Sequence, residues 1–141
     1  MRFNFALLLG LAFATVVHAQ TGPCTESVVK KGGLPIADKA FTHMAAFNRP
    51  MSTKAAAQEA AKEAFADRIN RKFEWAGDRV IGAVPSGDMA YEHGTMHVSY
   101  DTRSDGKHHS FDAVMLMVYQ AKGPTCQQVA STMYPLEHTV K

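Results

Sequence analysis

The chain has 141 residues, 15 Lys and Arg against 13 Asp and Glu, and two cysteines. A charge so close to balance, with no basic cluster, excludes nucleic acid as the main partner. The length suits one domain around one core.

The N-terminus has the three parts of a secretory signal. Arg2 supplies a positive charge, an apolar run extends from Phe5 through Val17, and Val17-His18-Ala19 offers the residues a signal peptidase reads. The run is shorter than the ~20 apolar residues of a spanning helix. Residues 1–19 are therefore expected to be removed, leaving Gln20 first. The mature chain is expected in the periplasm or the extracellular medium, with no membrane association after cleavage.

Cys24 and Cys126 both belong to the mature part. In an oxidising compartment they could form one disulfide. The alternative is two unpaired thiols, with Cys126 packed as a small hydrophobe. Around Cys24, residues 20–36 are rich in Gly, Pro and Lys and read as a loose N-terminal segment. The folded domain is expected over 37–141.

Within that domain a helix is predicted from Ala37 to about Asn48, with Ala40, Phe41, Met44, Ala45 and Phe47 on its apolar side. Arg49-Pro50 ends it, since the residue before proline avoids the helical region. Ser52 or Thr53 then caps a longer helix. Ala57, Ala61, Phe65, Ile69 and Phe73 recur every four residues along it, which places them on one stripe.

After Trp75 the pattern becomes extended. Strands are predicted over Arg79–Val84, Met89–Asp101, Ser110–Ala121 and Cys126–Tyr134. Turns fall at Pro85–Asp88, Ser104–Gly106 and Gly123-Pro124, and Pro135 is expected to stop the last strand. Helices followed by a meander predict an α+β fold, with N-terminal helices packed on a curved antiparallel sheet of about four strands. A curved sheet wrapped in this way leaves a cavity for a small molecule.

The segment Ser86-Gly87-Asp88-Met89-Ala90-Tyr91-Glu92-His93-Gly94 resembles a signature of a cone-shaped superfamily. That superfamily includes nuclear transport factor 2, ketosteroid isomerase and small polyketide cyclases. Asp105-Gly106-Lys107 is similar to its central hairpin, and Val118-Tyr119 with Gly123 to its C-terminal hairpin. The resemblance covers roughly residues 52–135. It implies a cystatin-like roll with a ligand cavity and pairing of sheets between two subunits.

Chemistry is sought along the longest strand. Ala90, Glu92, Gly94, Met96, Val98 and Tyr100 share one face, and Tyr91, His93, Thr95, His97 and Ser99 the other. The first set is more apolar and is placed toward the cavity. Glu92 would then be a carboxylate on an apolar face, suited to proton abstraction or donation. The plainer alternatives place it at the cavity mouth or pair it with a cation. Asp112 is the second candidate acid, on a face with Val114, Leu116 and Val118; the alternative is a solvated strand end. Trp75, Met96, Tyr100, Leu116 and Ser131 are the expected pocket residues.

His93 and His97 share a face but stand ~13 Å apart at ~3.3 Å per residue, too far to bind one zinc. Neither a metal nor a cofactor is expected. The face with Tyr91, His93, Thr95 and His97 suits a partly wet homodimer interface. The expected function is binding of a small apolar ligand. Proton-transfer chemistry on it (isomerisation, dehydration or cyclisation) is a further step, and a non-catalytic module with a filled cavity is the alternative.

Overall fold

The structure, a computed structural model, describes residues 21–47 and 49–140; the expected signal run and its expected cleavage site lie outside the described residues. The elements are α1 (Glu26–Lys31), β1 (Ile36–Met44), α2 (Lys54–Ala64), β2 (Arg68–Trp75), β3 (Val80–Ala83), β4 (Met89–Thr102), β5 (His108–Lys122) and β6 (Thr125–Val140). The strands form one mixed sheet in the order β1-β6-β5-β4-β2. β3 and β2 share an edge of β4: β3 pairs with its first half, from Ala83↔Ala90 to Val80↔His93, and β2 with its second, from Trp75↔Met96 to Arg68↔Thr102.

The fold is α+β as expected, but the sheet is mixed and has six strands where about four antiparallel ones are expected, and three boundaries differ. Residues 36–44 form a strand and not a helix. They run parallel to β6, from Phe41↔Ala130 to Met44↔Met133. Their burial follows the two-residue period of a strand, with Ala40 and Thr42 buried and Phe41 exposed between them. The second helix starts as expected, with the Thr53 hydroxyl accepting from the Ala56 amide at 3.2 Å. It stops at Ala64, and Ile69 and Phe73 belong to β2. None of its residues is buried, so it lies beside β1 and does not roof the sheet. Finally, β6 runs through Pro135. Pro135 pairs with Ala113 next to a register shift, the kind of irregularity where a missing backbone donor is tolerated.

The stretch expected to be loose carries α1. The Thr25 hydroxyl caps it by accepting from the Val28 amide, and Gly32 ends it at φ 73°. A strap precedes the helix, tied by the Gly22 amide to the Ser86 carbonyl at 2.8 Å and the Cys24 amide to the Gly87 carbonyl at 2.9 Å. Cys24 is bonded to Cys126 at the start of β6. The strap and α1 thus close one end of the sheet's inner face, where Cys24, Val29, Ala90, Tyr119 and Cys126 form one buried cluster. Farther along that face Met96, Val98, Ala113, Met115 and Met133 form a second.

Candidate functional site

Between the two clusters sits a buried acid. β4 alternates strictly, so Ala90, Glu92, Met96, Val98 and Tyr100 are buried while Tyr91, His93 and His97 are exposed. The inner position assigned to Glu92 is therefore observed, and only 2% of the residue is exposed.

Glu92 has partners on both sides. Arg79 donates from Nε and Nη2 to Oε2, at 2.8 and 2.5 Å. The Tyr119 hydroxyl, on β5, donates to Oε1. A buried carboxylate is costly unless paired and hydrogen-bonded, and here both oxygens are engaged. The acid is thus the cation-paired one among the sequence alternatives, and not a lone carboxylate. Burial first, and then the neighbouring Glu92, raises the Tyr119 pKa well above its usual value, so the phenol stays protonated.

Local geometry explains how Arg79 gets there. Asp78, just before β3, accepts from the Thr95 amide at 2.9 Å and the Thr95 hydroxyl at 2.7 Å. These bonds draw the loop across β4, and Gly94 leaves room for it. The guanidinium then reaches Glu92 from above, with its central carbon 5.0 Å from the Trp75 ring centroid. Its side chain keeps 24% of its surface exposed, so the cluster opens to solvent on the Arg79 side.

The other expected site residues divide between the two faces. Trp75 packs against the methionine cluster that contains Met96, and Ser131 is buried on β6, opposite Met117. Tyr100 is buried farther along β4. Asp112 and Leu116 are corrected: they stand on the outer face. Asp112 is paired in register with His97 and bonded to its Nδ1 at 2.9 Å, and Leu116 is 39% exposed. The inward residues of β5 are Ala113, Met115 and Tyr119. Arg79 and Tyr119 were not singled out from the sequence. Arg79 precedes a short strand with no motif around it, while Tyr119 was legible as the inward partner of Ala90, two positions from Glu92, once the hairpin register was drawn.

Among the described residues, no three His, Cys, Asp or Glu side chains converge as metal ligands would.

The fold is a cystatin-like, NTF2-like one, as the structural neighbours show. The hexachlorocyclohexane dehydrochlorinase LinA-type3 from Novosphingobium barchaimii superposes with a TM-score of 0.64 at 10% identity, over 76% of this chain and 72% of that one. A Caulobacter vibrioides protein with a cystatin-like fold gives 0.57 at 7% identity, over 73% and 72%. An NTF2-like protein from Novosphingobium aromaticivorans gives 0.53 at 13% identity, over 79% and 69%. At such identities the likeness shows the fold alone. No protein-family model and no curated protein matches this sequence.

Proposed function

We propose that the chain is an exported small-molecule-binding domain whose ligand lies along the inner face of the sheet, with Arg79, Glu92 and Tyr119 as its polar end. The observation that carries this reading is the buried Glu92 carboxylate, held between Arg79 and Tyr119 beside a methionine-lined surface. The Cys24–Cys126 bond is consistent with an oxidising compartment. The dehydrochlorinase among the structural neighbours adds support at the level of the fold.

Binding comes before catalysis in this reading. Tyr119 occupies one lone pair of Glu92 Oε1, and a ligand proton would have to reach the other. A ligand that achieves this would make Glu92 a general base beside a phenolic donor. The signature would be Glu92→Gln with ligand retained and turnover lost.

The outer face suggests self-association. Phe41, Tyr91, Val114, Leu116 and Tyr134 are each more than a third exposed there. An apolar band of this kind interleaved with His93 and His97 fits a homodimer interface.

The test is native mass spectrometry of the mature chain, recovered without reducing agent, followed by titration with 1-decanol read by Trp75 emission. A retained organic mass, or saturable decanol binding, is expected. A ligand-free chain whose emission ignores decanol would sink the binding reading and leave a module with a filled core.

A further inference from the structure

Two arginines meet at the open end of the inner face. In a regular strand Arg68 and Arg71 would face opposite ways, being three residues apart. β2 contains an irregularity between Ile69 and Lys72, so that Asn70 and Arg71 together stand opposite Tyr100. Asn70 takes φ 52°, and its side-chain amide donates to Asp101 at 2.8 Å. This bulge turns Arg71 to the side of Arg68. Both guanidinium carbons come within 5.3 Å of the Phe65 ring centroid, and that of Arg68 lies 4.5 Å from the Tyr100 centroid.

The nearby acids are occupied elsewhere. Asp67 accepts from the Ser104 amide at 2.9 Å, and Asp101 bonds Asn70 and His108. Among the described residues neither arginine is paired with a carboxylate. A guanidinium stacked by its face on a ring leaves the N–H groups at its edge free for a planar anion. Behind the pair a recess is lined by Phe73, Val98, Phe111 and Met133, and Phe73 is 49% exposed.

We infer that this end of the inner face binds an amphipathic anion, with a carboxylate or similar head on Arg68 and Arg71 and an apolar tail on the methionine and phenylalanine surface toward Glu92. The inference rests on the inner face being the ligand surface. Tyr100 and Glu92 are separated by about 26 Å of strand at ~3.3 Å per residue, and Met96 and Val98 between them are buried, so a tail enters by displacing the flexible methionine side chains of that surface.

The test is a Trp75 emission titration of the mature chain with dodecanoate and with 1-dodecanol, both below their aggregation limits. Dodecanoate is expected to bind at least tenfold more tightly. Arg68→Gln with Arg71→Gln should erase that preference by weakening dodecanoate at least tenfold more than dodecanol, while Arg68→Lys with Arg71→Lys should keep part of it. Circular dichroism checks the fold of each variant. If the glutamine pair does not fold, the wild-type preference and its reduction by the lysine pair decide. Equal binding of acid and alcohol overturns the inference while the small-molecule reading stands; failure of both probes overturns both. Phosphatidylglycerol vesicles form the last arm: sedimentation of the chain with vesicles but no affinity for monomeric dodecanoate would also overturn it, in favour of a membrane surface.

Discussion

Gly94 lies directly beneath the backbone of Arg79. A Cβ built on Gly94 would stand 2.9 Å from the Arg79 Cα and 3.1 Å from the Asp78 carbonyl oxygen, and its φ of 155° is one that side-chain-bearing residues rarely adopt. The crossing places the guanidinium over Glu92. Gly94→Ala is therefore expected to cost more than ~1 kcal/mol and to move Arg79 off Trp75. Urea unfolding gives the first quantity and Trp75 emission the second; a neutral substitution with unchanged emission would show that the loop has other room.

Tyr119 should govern stability in alkali. Its folded pKa is raised above the ordinary value of 10.0. Its contribution is thus fully present below pH 10 and falls as the pH rises further, because the unfolded phenol ionises first. Tyr119→Phe should flatten this alkaline decline. It should also cost ~1–3 kcal/mol at pH 7, since Glu92 Oε1 loses its buried donor. Paired pH titrations of the unfolding midpoint read both effects, and parallel curves for the two proteins would remove Tyr119 from the account.

Removal of the disulfide should loosen one end of the site more than the rest. Cys24 and Cys126 are 102 residues apart in sequence, a loop for which the chain-entropy model gives ~4–5 kcal/mol. Cys24→Ser with Cys126→Ser should lose about that much and expose the backbone before α1 to protease. Amide exchange that rises at position 24, Val29 and Tyr119 together would identify them as one opening unit. A loss near zero would mean that the two strap hydrogen bonds hold it unaided.

The outer face can be tested without touching the inner one. Leu116→Glu places a charge in the centre of the exposed apolar band. Sedimentation is expected to shift from dimer to monomer with the far-ultraviolet spectrum unchanged. A wild-type chain that already sediments as a monomer would end the interface proposal.

Much of the C-terminal half was legible because β4 is polar on one side and apolar on the other. That contrast fixes which residues face inward, and it placed Glu92 correctly. β5 has no such contrast: Ala113, Met115 and Met117 on one side face Val114, Leu116 and Val118 on the other. Alternation there carries no direction: Leu116, expected in the pocket, stands outward, and of the two readings of Asp112 the solvated strand end is the one observed. Only the pairing of Asp112 with the outward His97 settles it. β1 was misread for a different reason. Ala40, Phe41 and Met44 fit a helical stripe, and pairing with a distant strand overrides that local preference. The four-residue recurrence from Ala57 to Phe73 likewise runs past the real helix end, because Ile69 and Phe73 meet it by chance from a strand. Arg79 has no local signal at all, since its role comes from a crossing that only the folded chain creates.

The pairing of the first strand with the last has a consequence for how the molecule comes into being. Thr42 and Ser131 are neighbours in the sheet across 89 positions of sequence, and closing so long a loop is entropically late work. A chain emerging from its N-terminus makes β1 early and must leave it unpartnered until β6 arrives. The β4–β5 hairpin can form before then, but the β1 edge of the sheet is completed only with the last strand.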